Sequence, residues 1–256
     1  MKILIIGDIV GNAAIDYLSV KLRRIKETLD VSFTVANGEN ASEIHGISSY
    51  DAKAIFECGV DLITLGNHTY GKRDVCQLLS DRTDIIRPAN YPPTCPGGGY
   101  TLMNVDGYRI LCMNVLGTAL MEPMSCPFST IDRILERENG NYDISLLDIH
   151  AETTSEKIAM GRYFDGRINI IFGTHTHVPT ADEQILPRGT AYITDVGMTG
   201  PTNGVIGSDA SAVIEKFRTK MPVRFTVADG EIKANCLLVD INASNGKVSS
   251  VRRVNF

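Results

Sequence analysis

Tryptophan is absent from the 256 residues, aromatic residues make up only 7% of them, and no low-complexity tract occurs. A disordered chain and a binder that stacks bases on rows of rings are both disfavoured. Positive charge is also scarce, with 25 basic residues against 30 acidic ones and a net charge of −5. No basic stripe is left to displace counterions from a nucleic-acid polymer, so long DNA or RNA is not an expected partner. No apolar run approaches the ~20 residues of a membrane span. The opening Met1-Lys2-Ile3-Leu4-Ile5-Ile6 is broken at once by Gly7-Asp8, too short for the apolar part of a signal peptide. A cytoplasmic protein without membrane contact is expected. Cysteine occurs six times, at 58, 76, 95, 112, 126 and 236, never as Cys-x-x-Cys. That spacing fits neither a zinc ribbon nor a disulfide-stapled scaffold and leaves reduced thiols as the default.

What is present is an alternation of β-branched apolar runs with stretches of helical period, the pattern of an α/β protein. Residues 2–6 read as a first strand. After Gly11-Asn12, the residues Ile15, Leu18, Leu22, Ile25 and Leu29 recur every three or four positions and place one apolar stripe on a helix that covers the sheet. Residues 33–36, 50–58 and 61–65 continue as strand, helix and strand, so the sheet begins parallel. Past a Pro- and Gly-rich loop, 100–105 and 108–115 flank Asp106-Gly107 as a hairpin. Further strands are expected at 143–149, 168–172 and 191–194, with a helix over 152–163. A second hairpin is expected from 223–228 and 232–241 around Asp229-Gly230, and a last strand near 248–254. Two sheets accommodate this many strands more economically than one. No linker or internal repeat is visible, so residues 1–256 read as a single domain.

In open α/β sheets ligands collect beyond the carboxyl ends of the strands. Asp8 follows the first strand, Glu39-Asn40 the second and Asn67-His68 the third; His150 ends the 143–149 strand, and His175-Thr176-His177 follow Gly173-Thr174. In an extended segment residues two apart face the same way, so His175 and His177 are expected to address one centre. Imidazole with carboxylate and amide oxygen, and no thiolate, suits iron, manganese, zinc or magnesium. Asp8, Glu39, Asn40, Asn67, His150, His175 and His177 exceed the needs of one ion. A pair of ions bridged by Glu39 and a hydroxide would use them all. Such a pair favours attack on phosphorus, with His68 free to protonate the leaving group. His45, in the polar stretch 41–49, reads as a solvated loop residue. Arg162, Tyr163, Asp165 and Arg167 read as surface ion-pair residues at least as readily as a phosphate grip.

Gly7-Asp8, Gly38-Glu39-Asn40, Gly66-Asn67-His68, the lone His150 and Gly173-Thr174-His175-Thr176-His177 stand in the order found in calcineurin-like metallophosphoesterases, which the chain resembles. It departs from that pattern at Val10, Glu39 and Thr69, where a His, an Asp and an acidic residue are usual. The departures, with Arg87-Pro88-Ala89-Asn90, His150-Ala151-Glu152, Asp165-Gly166-Arg167 and the segment from Thr194-Asp195 to Gly200-Pro201, are similar to the YmdB-type subfamily of bacterial phosphodiesterases. The resemblance runs over nearly the whole chain. It implies an α/β fold in the form of an αββα four-layer sandwich of two mixed β-sheets flanked by helices. It also implies a di-iron or di-manganese centre, with zinc or magnesium as lesser alternatives, and hydrolysis of 2′,3′-cyclic nucleotides at the 2′ bond, 3′,5′-cyclic ones being further substrates. By the same resemblance Asp8, Glu39, Asn40 and His177 hold one ion, Glu39, Asn67, His150 and His175 the other, and His68 is the proton donor. The missing imidazole at Val10 leaves Asn40 or water to complete the first shell.

Two other classes compete with a phosphodiesterase of small cyclic nucleotides. One is a regulatory protein that binds metal and nucleotide but acts through partner contacts with slow turnover. The other is a dinucleotide-binding oxidoreductase, but Gly7-Asp8-Ile9-Val10-Gly11 lacks the Gly-x-Gly-x-x-Gly spacing and Asp8 would repel a pyrophosphate. Homo-oligomerisation, the native metal and the physiological substrate are not written in the sequence.

Overall fold

The computed structural model describes residues 1–43 and 45–256; of the stretch 41–49, Ile44 lies outside the described residues. The first strand, β1 (Lys2–Ile6), alternates its side chains between two faces of a sheet. Leu4 and Ile6 point to one apolar cluster and Ile3 and Ile5 to another. The chain continues through β2 (Asp8–Ile9), α1 (Gly11–Leu29), β3 (Phe33–Asn37), α2 (Ser49–Glu57), β4 (Leu62–Thr64), α3 (Val75–Asp81) and β5 (Ile85–Ile86). The apolar stripe of α1 packs on the sheet as expected through Ile15, Leu18 and Leu22, and α2 adds Ile55. A capping box, in which Ser48 and Asp51 each bond the other's backbone N–H, fixes where α2 begins.

The second half supplies β6 (Tyr100–Val105), β7 (Tyr108–Leu116), α4 (Pro127–Arg137), β8 (Ile144–His150), α5 (Thr154–Phe164), β9 (Ile170–Thr174), β10 (Gln184–Ile185) and β11 (Ala191–Ile193). It then runs through β12 (Met198–Pro201), α6 (Ala210–Thr219), β13 (Ile232–Asn242) and β14 (Lys247–Asn255). The hairpin at Asp106-Gly107 is present: both residues have positive φ, 52° and 84°, and Val105 pairs with Tyr108. That geometry is the two-residue turn such a dipeptide favours.

One sheet has the order β2-β12-β13-β1-β3-β4-β5, with β14 also on β13, and the other β10-β11-β9-β8-β7-β6. Both are mixed. Strands β1, β3, β4 and β5 are mutually parallel, whereas β13 is antiparallel to β1. In the second sheet β7, β8, β9 and β11 run parallel, with antiparallel edges β6 and β10.

Three buried clusters then define four layers. Leu4, Leu18 and Ile55 fill the space between α1, α2 and the first sheet. Ile3, Val35, Leu62, Ile110, Leu146 and Phe172 join the two sheets face to face. Leu111, Leu147 and Ile171 meet Ile131, Met160 and Phe164 of α4 and α5 on the far side. The architecture is the expected αββα sandwich.

The second expected hairpin does not form. Residues 223–228 hold no strand beyond an isolated bridge at Val227. The reason lies in β13, which is occupied on both sides: β12 and β1 follow one another along one edge, and β14 takes the other from Asn235 to Asn242. Little edge is left for 223–228, and the chain only bends at Gly230.

Candidate metal centre

The two sheets face each other, and the carboxyl ends of β3, β4, β8 and β9 lie around one hollow that β2 also borders. Asp8 is held there from β12, because its N–H donates to the Gly197 carbonyl and its strand pairs in parallel with Met198. The side chain is fully buried. Oδ2 accepts the His175 N–H at 3.1 Å, whereas Oδ1 has no hydrogen-bond partner among the described residues. His150 Nδ1 stands 3.9 Å and His177 Nε2 4.0 Å from that orphaned oxygen. An unsatisfied carboxylate oxygen in a water-poor site is costly, and a cation relieves it.

Glu39 reaches both halves of the hollow. Its Oε1 is 2.9 Å from His150 Nε2 and its Oε2 accepts the His68 N–H at 2.9 Å. His150 Nε2 also meets Asn67 Oδ1 at 3.1 Å and His175 Nδ1 at 3.0 Å. Asn40 Oδ1 is 3.4 Å from His177 Nε2, and His177 Nδ1 donates to the Ile206 carbonyl at 2.9 Å. All seven expected donors therefore gather at one place, from loops of both sheets. Ligand atoms of Glu39, His150 and His175 lie within 4.8 Å of one another, a group able to hold a metal ion. Together with the orphaned Asp8 oxygen and a donor set of nitrogen and oxygen without sulfur, these residues fit a cation.

The route by which two histidines converge differs from the expected extended segment. Strand β9 stops at Thr174, and His175 and His177 then take left-handed backbone, φ 98° and 65°. Such conformations cost a non-glycine residue roughly 1–3 kcal/mol and persist where the surroundings over-determine them. Here the surroundings include Lys157 of α5, wholly buried, whose Nζ donates to the Thr174 carbonyl at 2.6 Å and to Asp195 Oδ2 at 2.7 Å. Asp195 in turn accepts from Thr176 N and Oγ1 and from the Gly197 N–H. One buried ion pair thus ties the His175-Thr176-His177 loop to the turn that carries Asp8. Gly66 has its own reason: a Cβ there would collide with Glu39 Oε2 and the His150 ring, so only glycine lets that turn pass.

Beneath His150, Thr174 Oγ1 lies 2.9 Å from Nδ1 and donates to Asp148 Oδ1 at 2.7 Å; Thr64 and Asn37 complete the Asp148 carboxylate. With the Thr174 hydroxyl proton committed to Asp148, its oxygen accepts from Nδ1–H and leaves Nε2 as the face toward Glu39. On the other side Glu152 accepts from His175 Nε2 at 3.0 Å, so Nδ1 is the inward nitrogen. Neither Asp148 nor the role of Glu152 was among the sequence expectations. For Glu152 a signal existed, its position two residues after His150.

Charge balance follows burial. Desolvation raises Asp8 to about 6, with His177 and His150 pulling the other way. Desolvation also opposes ionisation of Glu39, yet the neighbouring His150 and the His68 N–H outweigh it and hold the carboxyl at about 2. His150 is penalised by burial, but Glu39, Asp8 and Asp148 lift it to about 9. His175 falls to about 3 through burial and the adjacent His150 charge. His68 is lowered, first by burial.

His68 has the Asn67 amide nitrogen 3.2 Å from Nε2, and its ring lies against that of His45 with centroids 4.1 Å apart. His45 thus lies in an exposed loop, as expected, but borders the centre through His68; nothing in its local sequence marks the contact, which spans 23 positions of chain. Arg167 pairs with Asp132 at 2.6 Å on the surface, as expected, whereas Asp165 is buried and accepts the Arg188 and Thr190 N–H groups, so it is not a surface residue.

Fold and site together define a phosphoesterase of the metallophosphoesterase-like class. The sequence profile of the YmdB-like proteins matches residues 4–254, and the chain belongs to that family. It is 40% identical over 254 residues to the 2′,3′-cyclic-nucleotide 2′-phosphodiesterase of Bacillus subtilis (strain 168), an alignment covering 99% of this chain and 96% of that one. A hypothetical protein from Thermus thermophilus superposes with a TM-score of 0.95 at 36% identity, covering 100% of this chain and 99% of that one. A phosphatase from Mycoplasma pneumoniae gives 0.94 at 32% identity, with 100% and 93% covered. Among the described residues no helix is long and apolar enough to cross a membrane.

Proposed function

We propose that the chain is a two-metal phosphodiesterase of cyclic nucleotides, opening the 2′,3′-cyclic ring at the 2′ bond and accepting 3′,5′-cyclic substrates as well, with residues 1–256 acting as one domain. The observation that carries this reading is the buried, orphaned Asp8 Oδ1 facing a ring of nitrogen and oxygen donors from both sheets. The name of the Bacillus subtilis relative supports the substrate class. Asp8, Glu39, Asn40 and His177 would hold one ion and Glu39, Asn67, His150 and His175 the other, iron or alternatively manganese. When bound, the ions supply Lewis acidity, drawing charge from phosphoryl oxygens and acidifying water at neutral pH.

The chain's own part in turnover is proton delivery. The Asn67 amide donates to Nε2 of His68, so the neutral ring carries its proton on Nδ1. Burial leaves His68 mostly neutral at pH 7. Arrival of the phosphodiester monoanion beside the ring favours its protonated form. As the oxygen of a water molecule bonds to phosphorus and the P–O2′ bond breaks, the electron pair of the broken bond stays on O2′, and His68 gives that oxygen a proton, leaving a 3′-phosphate.

Metal analysis of the purified protein, coupled to hydrolysis of a phosphoester panel, tests the reading. Two ions per chain and turnover of 2′,3′-cyclic nucleotides are expected. One ion per chain would overturn the bridged pair, and activity on monoesters alone would overturn the substrate. Replacing His68 by Ala is expected to keep the metal content and lower kcat by roughly 10²–10⁴-fold.

A further inference from the structure

A second concavity lies beside the centre. Between α4 and the segment after β5, a cleft of about 590 Å3 is lined by Arg87, Asn90, Tyr91, Tyr100, Arg133 and Arg137 with smaller neighbours. Three guanidiniums and no carboxylate line it, although the chain as a whole carries −5. On α4 the spacing of Thr130, Arg133, Ile134 and Arg137, three and four apart, brings these side chains to one helix face. Arg133 and Arg137 are exposed. Arg133 bonds only the Thr130 hydroxyl, at 3.3 Å, among the described residues, and Arg137 stands 3.9 Å from Glu138.

Arg87 is different, being 5% exposed. Its donors go to the carbonyls of Pro96 at 3.1 Å, Pro88 at 2.8 Å and Cys95 at 3.4 Å, and no carboxylate pairs with it among the described residues. A desolvated guanidinium met only by neutral dipoles keeps an uncompensated charge, and an anion in the cleft offsets it.

The wall of the cleft adjoins the metal centre. Tyr91, in its wall, donates its hydroxyl to the Asn67 carbonyl at 3.5 Å. Asn90, also in the wall, bonds both the N–H and the carbonyl of Leu116, which is the register partner of His150. A substrate extended from the centre in this direction crosses the Tyr91 ring and then meets the arginines.

We infer that this cleft is a second-phosphate subsite, and that the preferred substrate is a short oligonucleotide ending in a 2′,3′-cyclic phosphate. The cyclic end occupies the centre, the neighbouring base lies against Tyr91, and the next phosphate is bonded by Arg133 and Arg137 in the field of Arg87. Three positive groups suit one or two phosphates, while the acidic remainder of the surface repels a long polymer. The inference rests on the cyclic-phosphodiesterase reading of the centre.

Metal-loaded enzyme is compared on adenosine 2′,3′-cyclic phosphate and on the dinucleotide ApA ending in a 2′,3′-cyclic phosphate. The dinucleotide is expected to have the higher kcat/KM, by about tenfold and through KM, and the double variant Arg133→Gln, Arg137→Gln to abolish that ratio. The charge-keeping pair Arg133→Lys, Arg137→Lys is expected to restore most of it, which separates lost charge from a misfolded helix. Equal kcat/KM for the two substrates in the unaltered enzyme, or a preference that survives the Gln variant, overturns the subsite. If neither substrate is hydrolysed, the reading of the centre falls and the cleft is judged alone, by calorimetry with inorganic pyrophosphate. Binding that the Gln variant weakens by about tenfold keeps the anion site, and equal or absent binding in the two proteins discards it.

Discussion

At Asp8, burial holds the carboxyl near 6, above the 3.8 of an exposed side chain, against the pull of His177 and His150. Because the folded value is the higher one, the charged form weakens the metal-free fold. That penalty is complete above about 6, shrinks as pH falls through 6 and vanishes once both folded and unfolded chains are protonated, below about 3.8. Asp8→Asn is therefore expected to stabilise chelator-treated protein at pH 8 by about 2–3 kcal/mol, with a smaller gain at pH 5. The same variant loses metal. Thermal melts at the two pH values, beside metal analysis, check both halves of this outcome. A gain equal at pH 5 and pH 8 would mean that charge burial is not its source.

At the scale of elements, α5, the end of β9 and the turn before β12 are joined by the Lys157–Asp195 pair, 2.7 Å apart and buried on both sides. Lys157→Met leaves Asp195 as a buried charge without its cation, which costs about 3–5 kcal/mol in such settings. Denaturant melts should show that loss, and metal affinity should fall with it, because the strained His175 and His177 backbone depends on this tie. Much of the arrangement was legible in the sequence: β1, β3, β4, β8 and β9 each announce themselves by an apolar run that stops at a polar residue, and the donors sit at those stops. What was not legible depends on contacts between distant segments. Strand β12 is only Met198–Pro201, too short to carry a period, yet it sets Asp8. The positive φ of His175 and His177 is invisible in residue types that usually avoid it. Residues 223–228 carry a good strand pattern but form no strand, because β12, β1 and β14 pair with β13 over almost its whole length.

For the whole molecule, the donors divide between the sheets: Asp8, Glu39, Asn40 and Asn67 belong to the first, and His150, His175 and His177 to the second. Metal held by these donors would therefore add a link between two halves that also meet through the apolar layer of Ile3, Val35, Ile110 and Phe172 and through the bonds of Asn37 and Thr64 to Asp148. A ligand held at 100 times its dissociation constant stabilises by about 2.7 kcal/mol. Chelation is accordingly expected to lower the Tm by several degrees, roughly 2–4 °C per kcal/mol at this chain length. Scanning calorimetry before and after chelation measures it, and an unchanged Tm would show that no ion spans the sheets.

The position of β1 between β3 and β13 has a consequence for biosynthesis. Its parallel neighbour leaves the ribosome within some thirty residues, whereas the antiparallel one, like the β12 turn that seats Asp8, arrives only near the close of translation. Until then the nascent polypeptide presents an apolar ribbon with one open flank, the kind of template on which other chains add. Ribosome-stalled fragments that stop short of residue 232 should therefore aggregate while full-length product does not.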